Sequence, residues 1–339
     1  VFFISAIMYG SLLVYHYNDG KRFEKLQKVA VFLAKIPINL KSVISKDRPP
    51  QLIKHKNKPK FKRFINSQRN ELLILPRYDG NKSRSVVEII DLNNFEILHT
   101  YEHDITSMNN LIDTTKREHK RIKIDNSEIR FRYWNPLITK NLDMISTGSK
   151  VIFKTDFCSK LLWINQDELF HHSLNLDIDG NIWVGSQMFP YSNLVKKYMK
   201  TYGFAEDFAD DAIAKINQNG KIIFTKSITE LLIELDINGL EIMYAGNDPI
   251  HLNDIEPAFF DTDYWKKDDL FISIRNQNGI IHYRPSTNKI INKFFGGWDS
   301  VFYRQHDVDI VSDKEISIFN NSKTNNSEVI IYNFETKKF

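Results

Sequence analysis

Three histidines that recur in similar surroundings are the residues of this chain best suited to carry chemistry. His172 opens the segment HSLNLDIDGNIWVGSQ, and His306 opens HDVDIVSDKEISIFNN, which aligns with the first segment without a gap. His251 opens HLNDIEPAFF, which begins in the same way and rejoins the pattern at DLFISIRN after a short insertion. Because equivalent positions of structural repeats occupy equivalent places in a fold, we expect the three imidazoles to face a common space.

Two further polar residues lie close to these histidines. Arg275 belongs to the strand-like segment FISIRNQ, and Asn253 follows His251 closely. Three imidazoles and a guanidinium suit an anion such as sulfate or phosphate, because arginine offers bidentate donors and imidazole adds hydrogen bonds. A zinc site is the alternative, since three histidines can hold Zn²⁺, but the fixed charge of Arg275 disfavours a cation, so we expect no metal. A third interpretation is structural, with each histidine only joining one repeat to the next.

The elements that must position these side chains are β-strands. From about Asn70 onward, short runs rich in Ile, Val, Phe, Tyr and Trp alternate with turn residues, as in sandwiches, barrels and propellers. Pairs such as Asp179-Gly180 predict tight hairpins, and Ser192 to Phe208 predicts an inserted loop or helix. Units of about four strands at irregular spacing favour an all-β fold, a β-propeller with about five blades present, over a β-sandwich.

The sequence divides into three segments. Residues 1–20 contain the charge-free run VFFISAIMYGSLLVYHY, which suits a membrane span or the core of a signal peptide. We favour an uncleaved transmembrane anchor, because no clear cleavage site follows the run. Residues 21–65 predict a juxtamembrane helix and then the basic, proline-containing linker KDRPPQLIKHKNKPKFKR. Residues 66–339 are the predicted propeller, which we expect to be truncated at its C-terminus.

Composition excludes two classes of function. The 46 Lys and Arg residues against 42 Asp and Glu give a net charge of +4, which is too small for a general nucleic-acid footprint. Cys158 is the single cysteine, so an intramolecular disulfide and a cysteine-based metal cluster are both excluded.

The histidine segments also carry a family resemblance. FHHSLNLDIDGN, DPIHLNDI, LFISIRNQNGIIHYRP followed by an FFGG turn, and RQHDVDI resemble, in that order, the signature segments of the bacterial arylsulfotransferase family over roughly Leu161 to Asn320. The resemblance implies a six-bladed propeller in the full-length protein. It also implies an enzyme, usually periplasmic, that moves a sulfuryl group from a phenolic sulfate ester to another phenol without a nucleotide donor.

The resemblance assigns a role to each matching residue. His306, in the QHD segment, takes the place of the nucleophile, which would form a sulfohistidine intermediate. The positions implied for sulfuryl binding are His251, Asn253, Arg275 and one of the paired histidines, His171 or His172. The repeat alignment favours His172, while the family's pair leaves room for either. The sequence departs from the family at Ser173, where aspartate is usual.

These expectations define the function to be tested. The partners would be an aryl sulfate and a phenol, with no cofactor, no metal and no nucleic acid, and a homodimer remains open. Residues 1–20 would hold the chain on the periplasmic side of the bacterial inner membrane. The alternative is a noncatalytic or hydrolytic membrane-anchored propeller that binds a small anion or a protein partner, because a fold does not fix a function.

Overall fold

The computed structural model describes residues 2–17, 25–26, 29–34, 71–115, 128–203, 208–234, 247–295, 303–321 and 326–339. The chain divides into two compact units, Val1–Arg63 and Phe64–Phe339. The predicted basic linker lies outside the described residues.

The first unit is helical where it is described. Helix α1 spans Phe2–Tyr17, and residues 25–26 and 29–34 are also helical. The hydroxyl of Tyr9 donates a hydrogen bond to the carbonyl oxygen of Ala30 at 2.8 Å. Among the described residues, no helix combines the length and the apolar character that crossing a membrane requires. The anchor at residues 1–20 stays a prediction.

The described part of the second unit contains five antiparallel sheets, each a meander of consecutive strands. Blade 1 contains β1 (Leu72–Asp79), β2 (Arg84–Asp91) and β3 (Ile97–Tyr101). Blade 2 contains β4 (Trp134–Ile138), β5 (Met144–Gly148), β6 (Val151–Thr155) and β7 (Leu161–Asn165). Blade 3 contains β8 (Leu169–Leu176), β9 (Ile182–Gln187), β10 (Asp211–Ile216) and β11 (Ile222–Ser227). Blade 4 contains β12 (Leu252–Pro257), β13 (Leu270–Ile274), β14 (Gly279–Arg284) and β15 (Lys289–Phe295). Blade 5 contains β16 (Val308–Ile310), β17 (Glu315–Asn320) and β18 (Glu328–Asn333).

The first strands of successive blades are neighbours in space, in the order β1, β4, β8, β12 and β16. The sheets therefore share an inner edge, which is the arrangement of propeller blades around an axis. The predicted all-β propeller with five blades is confirmed, and the β-sandwich is excluded.

Apolar side chains fill the space between each pair of adjacent blades. One buried cluster joins blades 1 and 2, and others join blades 2 and 3, blades 3 and 4, and blades 4 and 5. The central strands β5 and β13 are buried along their whole length, because a neighbouring blade covers each face. This burial on both faces explains why their sequences, MISTG and LFISI, do not alternate between polar and apolar residues.

The described residues of the second unit also form three short α-helices. Helix α2 spans Ile105–Asn110, α3 spans Asn193–Tyr202 and α4 spans Ile228–Glu234. Helix α3 lies within the predicted loop or helix between two strands of blade 3. Its N-cap Ser192 accepts a hydrogen bond from the backbone N–H of Val195, and Gly203 ends it in a left-handed conformation.

The strand register agrees with the repeat alignment of blades 3 and 5. Leu176 pairs with Ile182 in blade 3, as Ile310 pairs with Ile316 in blade 5. Gly180 lies in the predicted hairpin between β8 and β9, and its φ of 79° is one that glycine adopts without strain. His172, in β8, and His306, just before β16, therefore occupy equivalent places in their blades.

A single carboxyl group connects three blades. Asp254 of blade 4 accepts a hydrogen bond from the hydroxyl of Ser173 in blade 3, and from the backbone N–H of Val308 in blade 5 at 3.0 Å. Burial and then the charge of Asp307 raise the pKa of Asp254 to about 7. An aspartate at position 173 would place a second carboxylate against Asp254, so the serine hydroxyl suits this neighbour.

Candidate active site

An irregularity in blade 3 turns His172 out of its strand. The pairing of β8 with β9 is regular up to His171, is interrupted, and resumes at Leu174, and His172 has a φ of 58°. A left-handed backbone costs about 1–2 kcal/mol for a residue with a β-carbon, and a bulge redirects the side chain. The imidazole of His172 lies edge to face with that of His251 in blade 4, with ring centroids 5.1 Å apart.

Its surroundings keep His172 neutral. Burial, followed by the charges of His171 and His251, lowers the pKa of His172 to about 3. Lys150 acts in the same direction, and Asp211 acts against it. A neutral imidazole carries one N–H donor and one lone pair, and because Nδ1 of His172 contacts His171, Nε2 is the nitrogen that remains for a ligand.

His171 connects His172 to a buried carboxylate. The Nδ1 atoms of the two histidines are 2.7 Å apart, and Nε2 of His171 lies 3.3 Å from Oδ1 of Asp211. The other carboxylate oxygen of Asp211 accepts the backbone N–H of Leu252 at 2.7 Å. Burial would raise the pKa of Asp211, but the nearby His171 and the N–H of Leu252 outweigh burial and lower it.

Asp248 holds His251 from two directions. Its carboxylate accepts the backbone N–H of His251 at 3.1 Å and contacts Nδ1 of the imidazole at 2.5 Å. His251 has a φ of 52°. A carboxylate at Nδ1 fixes the proton on that nitrogen, so Nε2 of His251 remains for a ligand.

Arg275 is bonded directly to the His251 segment. Its backbone N–H donates to the carbonyl oxygen of His251 at 3.1 Å, and its Nη1 donates to Oδ1 of Asn276 at 2.8 Å. Burial and then the charge of Arg304 lower the pKa of Arg275. Arginine remains a cation in proteins, so this partly desolvated charge favours an anion.

Asn253 connects blade 4 to the residue before His306. Its side-chain N–H donates to the carbonyl oxygen of Gln305 at 3.1 Å. Its Oδ1 is buried and has no hydrogen-bond partner among the described residues. Asn253 therefore positions the His306 segment and keeps an acceptor for a ligand.

His306 lies just before β16 and is fixed by β17. Its backbone N–H donates to the carbonyl oxygen of Phe319 at 2.9 Å, and its Nδ1 lies 3.1 Å from Nδ2 of Asn321. Burial lowers the pKa of His306, and the charges of Arg275 and His251 lower it further, against a hydrogen bond to the Arg304 backbone. The imidazole is therefore held neutral, and Nε2 is the ring nitrogen that does not face Asn321.

The six residues predicted from the sequence lie on three adjacent blades. His172 touches both His171 and His251. Arg275 and His251 act on His306 electrostatically, and both lower its pKa. Of the histidine pair, His172 is the member in contact with His251, and His171 is the one beside Asp211.

Four polar groups that contact or act on these side chains were not predicted from the sequence. Lys150, Asp211 and Asn321 belong to other strands or turns and approach the site only through the fold. The contact of Asp248 with His251 could have been predicted, because Asp248 lies three residues before His251 in the segment DPIH. A carboxylate at that spacing can return to its own histidine through a turn.

The ligand atoms of His172, His251 and His306 do not gather into a metal-sized group. The described residues whose ligand atoms all lie within 4.8 Å of one another are Asp177, Asp179 and Asp268. Lys215 lies 2.7 Å from Asp177 and Lys267 lies 3.8 Å from Asp179, so lysines already balance that acidic group.

The sequence model of the family described as Arylsulfotransferase (ASST) matches residues 142–339. No curated protein matches the chain. Solved structures that resemble it include a protein of unknown function from Bacteroides caccae, with 10% identity, a TM-score of 0.43 and coverage of 75% of this chain. Another is the WD40 domain of Pan2 from Neurospora crassa, with 8% identity, a TM-score of 0.43 and coverage of 80% of this chain. The chain spans 66% and 61% of the length of these two structures.

Proposed function

The chain belongs to the arylsulfotransferase family, and on that premise we propose that it transfers a sulfuryl group from a phenolic sulfate ester to a phenolic acceptor. His306 is the proposed nucleophile. The observation that carries the proposal is the half-buried His306, held by the carbonyl oxygen of Phe319 and the side chain of Asn321, with Arg275 near enough for its charge to lower the pKa of His306. A nucleophilic imidazole needs its lone pair, and a sulfate ester needs a cation nearby.

In the first half of the reaction, His306 carries its proton on Nδ1, with the carbonyl oxygen of the Asn321 amide turned toward that proton, and the lone pair on Nε2 attacks sulfur. The bond between sulfur and the phenolic oxygen breaks, and its electron pair leaves on that oxygen. The product is a sulfohistidine. In the second half, the acceptor oxygen attacks the same sulfur, the sulfur–nitrogen bond breaks, and His306 recovers its lone pair. Two displacements replace one difficult transfer.

Arg275 supplies the stabilisation of negative charge in this proposal. Its guanidinium can donate two parallel hydrogen bonds to sulfuryl oxygens. Asp248 contacts Nδ1 of His251 and orients that ring, with Nε2 on its other side. Donors fixed before the reaction contribute most where charge develops, and the segments of both residues are held by backbone hydrogen bonds.

Trapping the intermediate tests the function. We expect incubation of the full chain with 4-nitrophenyl sulfate to release nitrophenol and to leave an acid-labile sulfuryl group on His306, which peptide mass spectrometry would locate. His306→Ala should abolish both signals. The matched control is His99→Ala, because the His99 imidazole stacks on Phe157 and bonds to its carbonyl oxygen, between blades 1 and 2.

Other outcomes would redirect the assignment. Nitrophenol release that does not depend on a phenol acceptor would indicate a sulfatase. Binding of sulfate without turnover of any aryl ester would indicate a noncatalytic anion-binding propeller.

We also propose that residues 1–20 anchor the chain on the periplasmic side of a bacterial inner membrane. The support is the charge-free apolar run of this segment. Fractionation of cells that express the full chain, compared with a variant that lacks residues 1–20, tests the anchor. Protease access from the periplasm tests the side. Sedimentation of the purified chain distinguishes a monomer from a homodimer.

A further inference from the structure

One buried group in this region has no part in the transfer described above. Asp211 lies on β10, the third strand of blade 3, and its side chain is 1% exposed. It faces His171, and His171 in turn contacts His172. The three side chains form a continuous line from the interior of blade 3 to the ring that touches His251.

We infer that Asp211 and His171 hold a proton in reserve behind His172, and that His172 exchanges this proton with the phenolic oxygen of the substrate. The inference rests on the proposed sulfuryl transfer. His172 would be the catalytic acid and base, since it alone of the three would touch the substrate. Asp211 and His171 would be positioning residues that act through it.

The distances define the route of the proton. Nδ1 of His171 and Nδ1 of His172 are 2.7 Å apart, which is a hydrogen-bond distance with one proton between two nitrogens. On the far side of the His171 ring, Nε2 lies 3.3 Å from the Asp211 carboxylate. This second contact is not aligned for a hydrogen bond, and catalytic hydrogen bonds often tighten only when substrate binds.

The inference places the positive charge on His171 rather than on His172, because His171 is the ring that faces the Asp211 carboxylate. Both ring nitrogens of His171 are then protonated, and its Nδ1–H donates to Nδ1 of His172. His172 is neutral and carries its own proton on Nε2, the nitrogen opposite this bond. Lys150 also acts on His172, and its positive charge reinforces this division because it repels a second cation at His172.

The bonds balance through both halves of the reaction. When the sulfur–oxygen bond of the donor breaks, the phenolic oxygen takes the proton from Nε2 of His172. The Nδ1 proton of His171 then moves to Nδ1 of His172, and both rings are neutral. When the acceptor phenol attacks sulfur, its proton moves to Nε2 of His172. The Nδ1 proton returns to His171, so the cycle consumes no proton.

Donors of different leaving-group strength test this inference. Phenolate is a poorer leaving group than 4-nitrophenolate and needs the proton more. For Asp211→Asn, we expect kcat/KM for phenyl sulfate to fall at least about 30-fold and that for 4-nitrophenyl sulfate to fall no more than about 3-fold, since a general acid contributes roughly 10²–10⁴-fold. His171→Gln should give the same difference. Equal losses with both donors would overturn the inference, because a purely structural defect does not distinguish leaving groups.

The neighbouring residue offers a matched control. Asp210 is buried to the same extent, but its carboxylate accepts a hydrogen bond from Ser227 at 2.7 Å. Asp210→Asn should leave the ratio of kcat/KM for the two donors unchanged. Asp211→Glu should partly restore that ratio, because it keeps the negative charge that the relay needs.

Nuclear magnetic resonance tests the relay without any turnover. Nitrogen-15 shifts of the wild-type chain at pH 7 should show both nitrogens of His171 protonated, and only Nε2 of His172 protonated. In Asp211→Asn, His171 should lose one proton, and thermal unfolding would show whether the variant remains folded. A neutral His171 in the wild type would contradict the relay. Failure of the wild type to turn over any aryl sulfate would count against the proposed function alone.

Discussion

The carbonyl oxygen of Lys150 accepts a hydrogen bond from the backbone N–H of Phe170 at 2.9 Å. This bond joins the turn between β5 and β6 of blade 2 to the strand that carries the paired histidines. Solvent reaches the Lys150 side chain, yet burial of its ammonium group lowers its pKa, and its charge acts on His172. A fourth blade therefore contributes a cation to the candidate site.

Removal of this cation should weaken binding of an anionic donor. For Lys150→Met, we expect KM for 4-nitrophenyl sulfate to rise about 3–10-fold, as is usual for loss of a partly solvated charge. The salt dependence of KM should also become weaker. Lys150→Arg should retain most of the affinity, and Lys160→Met, at an exposed lysine of the same blade, should have no effect. An unchanged KM for Lys150→Met would place the ammonium outside the donor site.

Substitution of Arg275 should move the pH dependence of the reaction. Its charge lowers the pKa of His306, so Arg275→Gln should raise that pKa. The acidic limb of kcat/KM then shifts to higher pH, because His306 loses its lone pair at a higher pH. The plateau should also fall about 100-fold, as for the loss of one oxyanion donor.

The control for this experiment keeps the charge. Arg275→Lys should leave the acidic limb in place while it lowers the plateau, because lysine lacks the bidentate geometry. An acidic limb that does not move in Arg275→Gln would show that another group sets the titration.

The β5–β6 turn offers a stabilising substitution. Ser149 and Lys150 have φ values of 51° and 66°, which asparagine adopts more readily than serine. Ser149→Asn should increase the free energy of unfolding by about 0.5–1 kcal/mol and leave kcat/KM unchanged, as measured by thermal unfolding and by turnover. Ser149→Val should have the opposite effect on stability, because β-branched residues are strained at positive φ. Equal stability of the two variants would contradict the left-handed turn.

Glu256 should make the stability of the propeller depend on pH. Burial, followed by the charges of Asp254 and Asp309, raises the pKa of Glu256 to about 8. Between its ordinary pKa and this value, the folded state holds a proton that the unfolded state has lost. The free energy of unfolding therefore falls as pH rises through this window.

The variant Glu256→Gln removes this titration. The wild type should lose stability relative to this variant as pH rises. The difference between their free energies of unfolding should therefore change by at least about 1 kcal/mol in favour of the variant from pH 5 to pH 9, as measured by urea unfolding at both values. Glu96 is an exposed residue between β2 and β3. The free energy of unfolding of Glu96→Gln should change with pH in the same way as that of the wild type. A constant difference between Glu256→Gln and the wild type would show that the carboxyl ionises freely in the folded state.

The sequence could predict the features that repeat along the chain. The gapless alignment placed His172 and His306 at equivalent positions, and hydrophobic runs with turn pairs predicted the blades. Asp211 could not be found in this way, because it lies 40 residues from its partner His171 and has no counterpart in the alignment. The left-handed backbone of His172 could not be predicted either, because the sequence around it contains no glycine or asparagine turn pair that would indicate a positive φ.

The carboxyl group of Asp254 links the hydrogen-bond networks of blades 3, 4 and 5. These are the blades that carry His172, His251 and His306. Opening of any one of them would break a bond at a group buried in the shared interior, so we expect the three blades to exchange their core amide hydrogens as one cooperative unit. The assembly of the reactive groups would then be completed only when the last of these blades docks during folding.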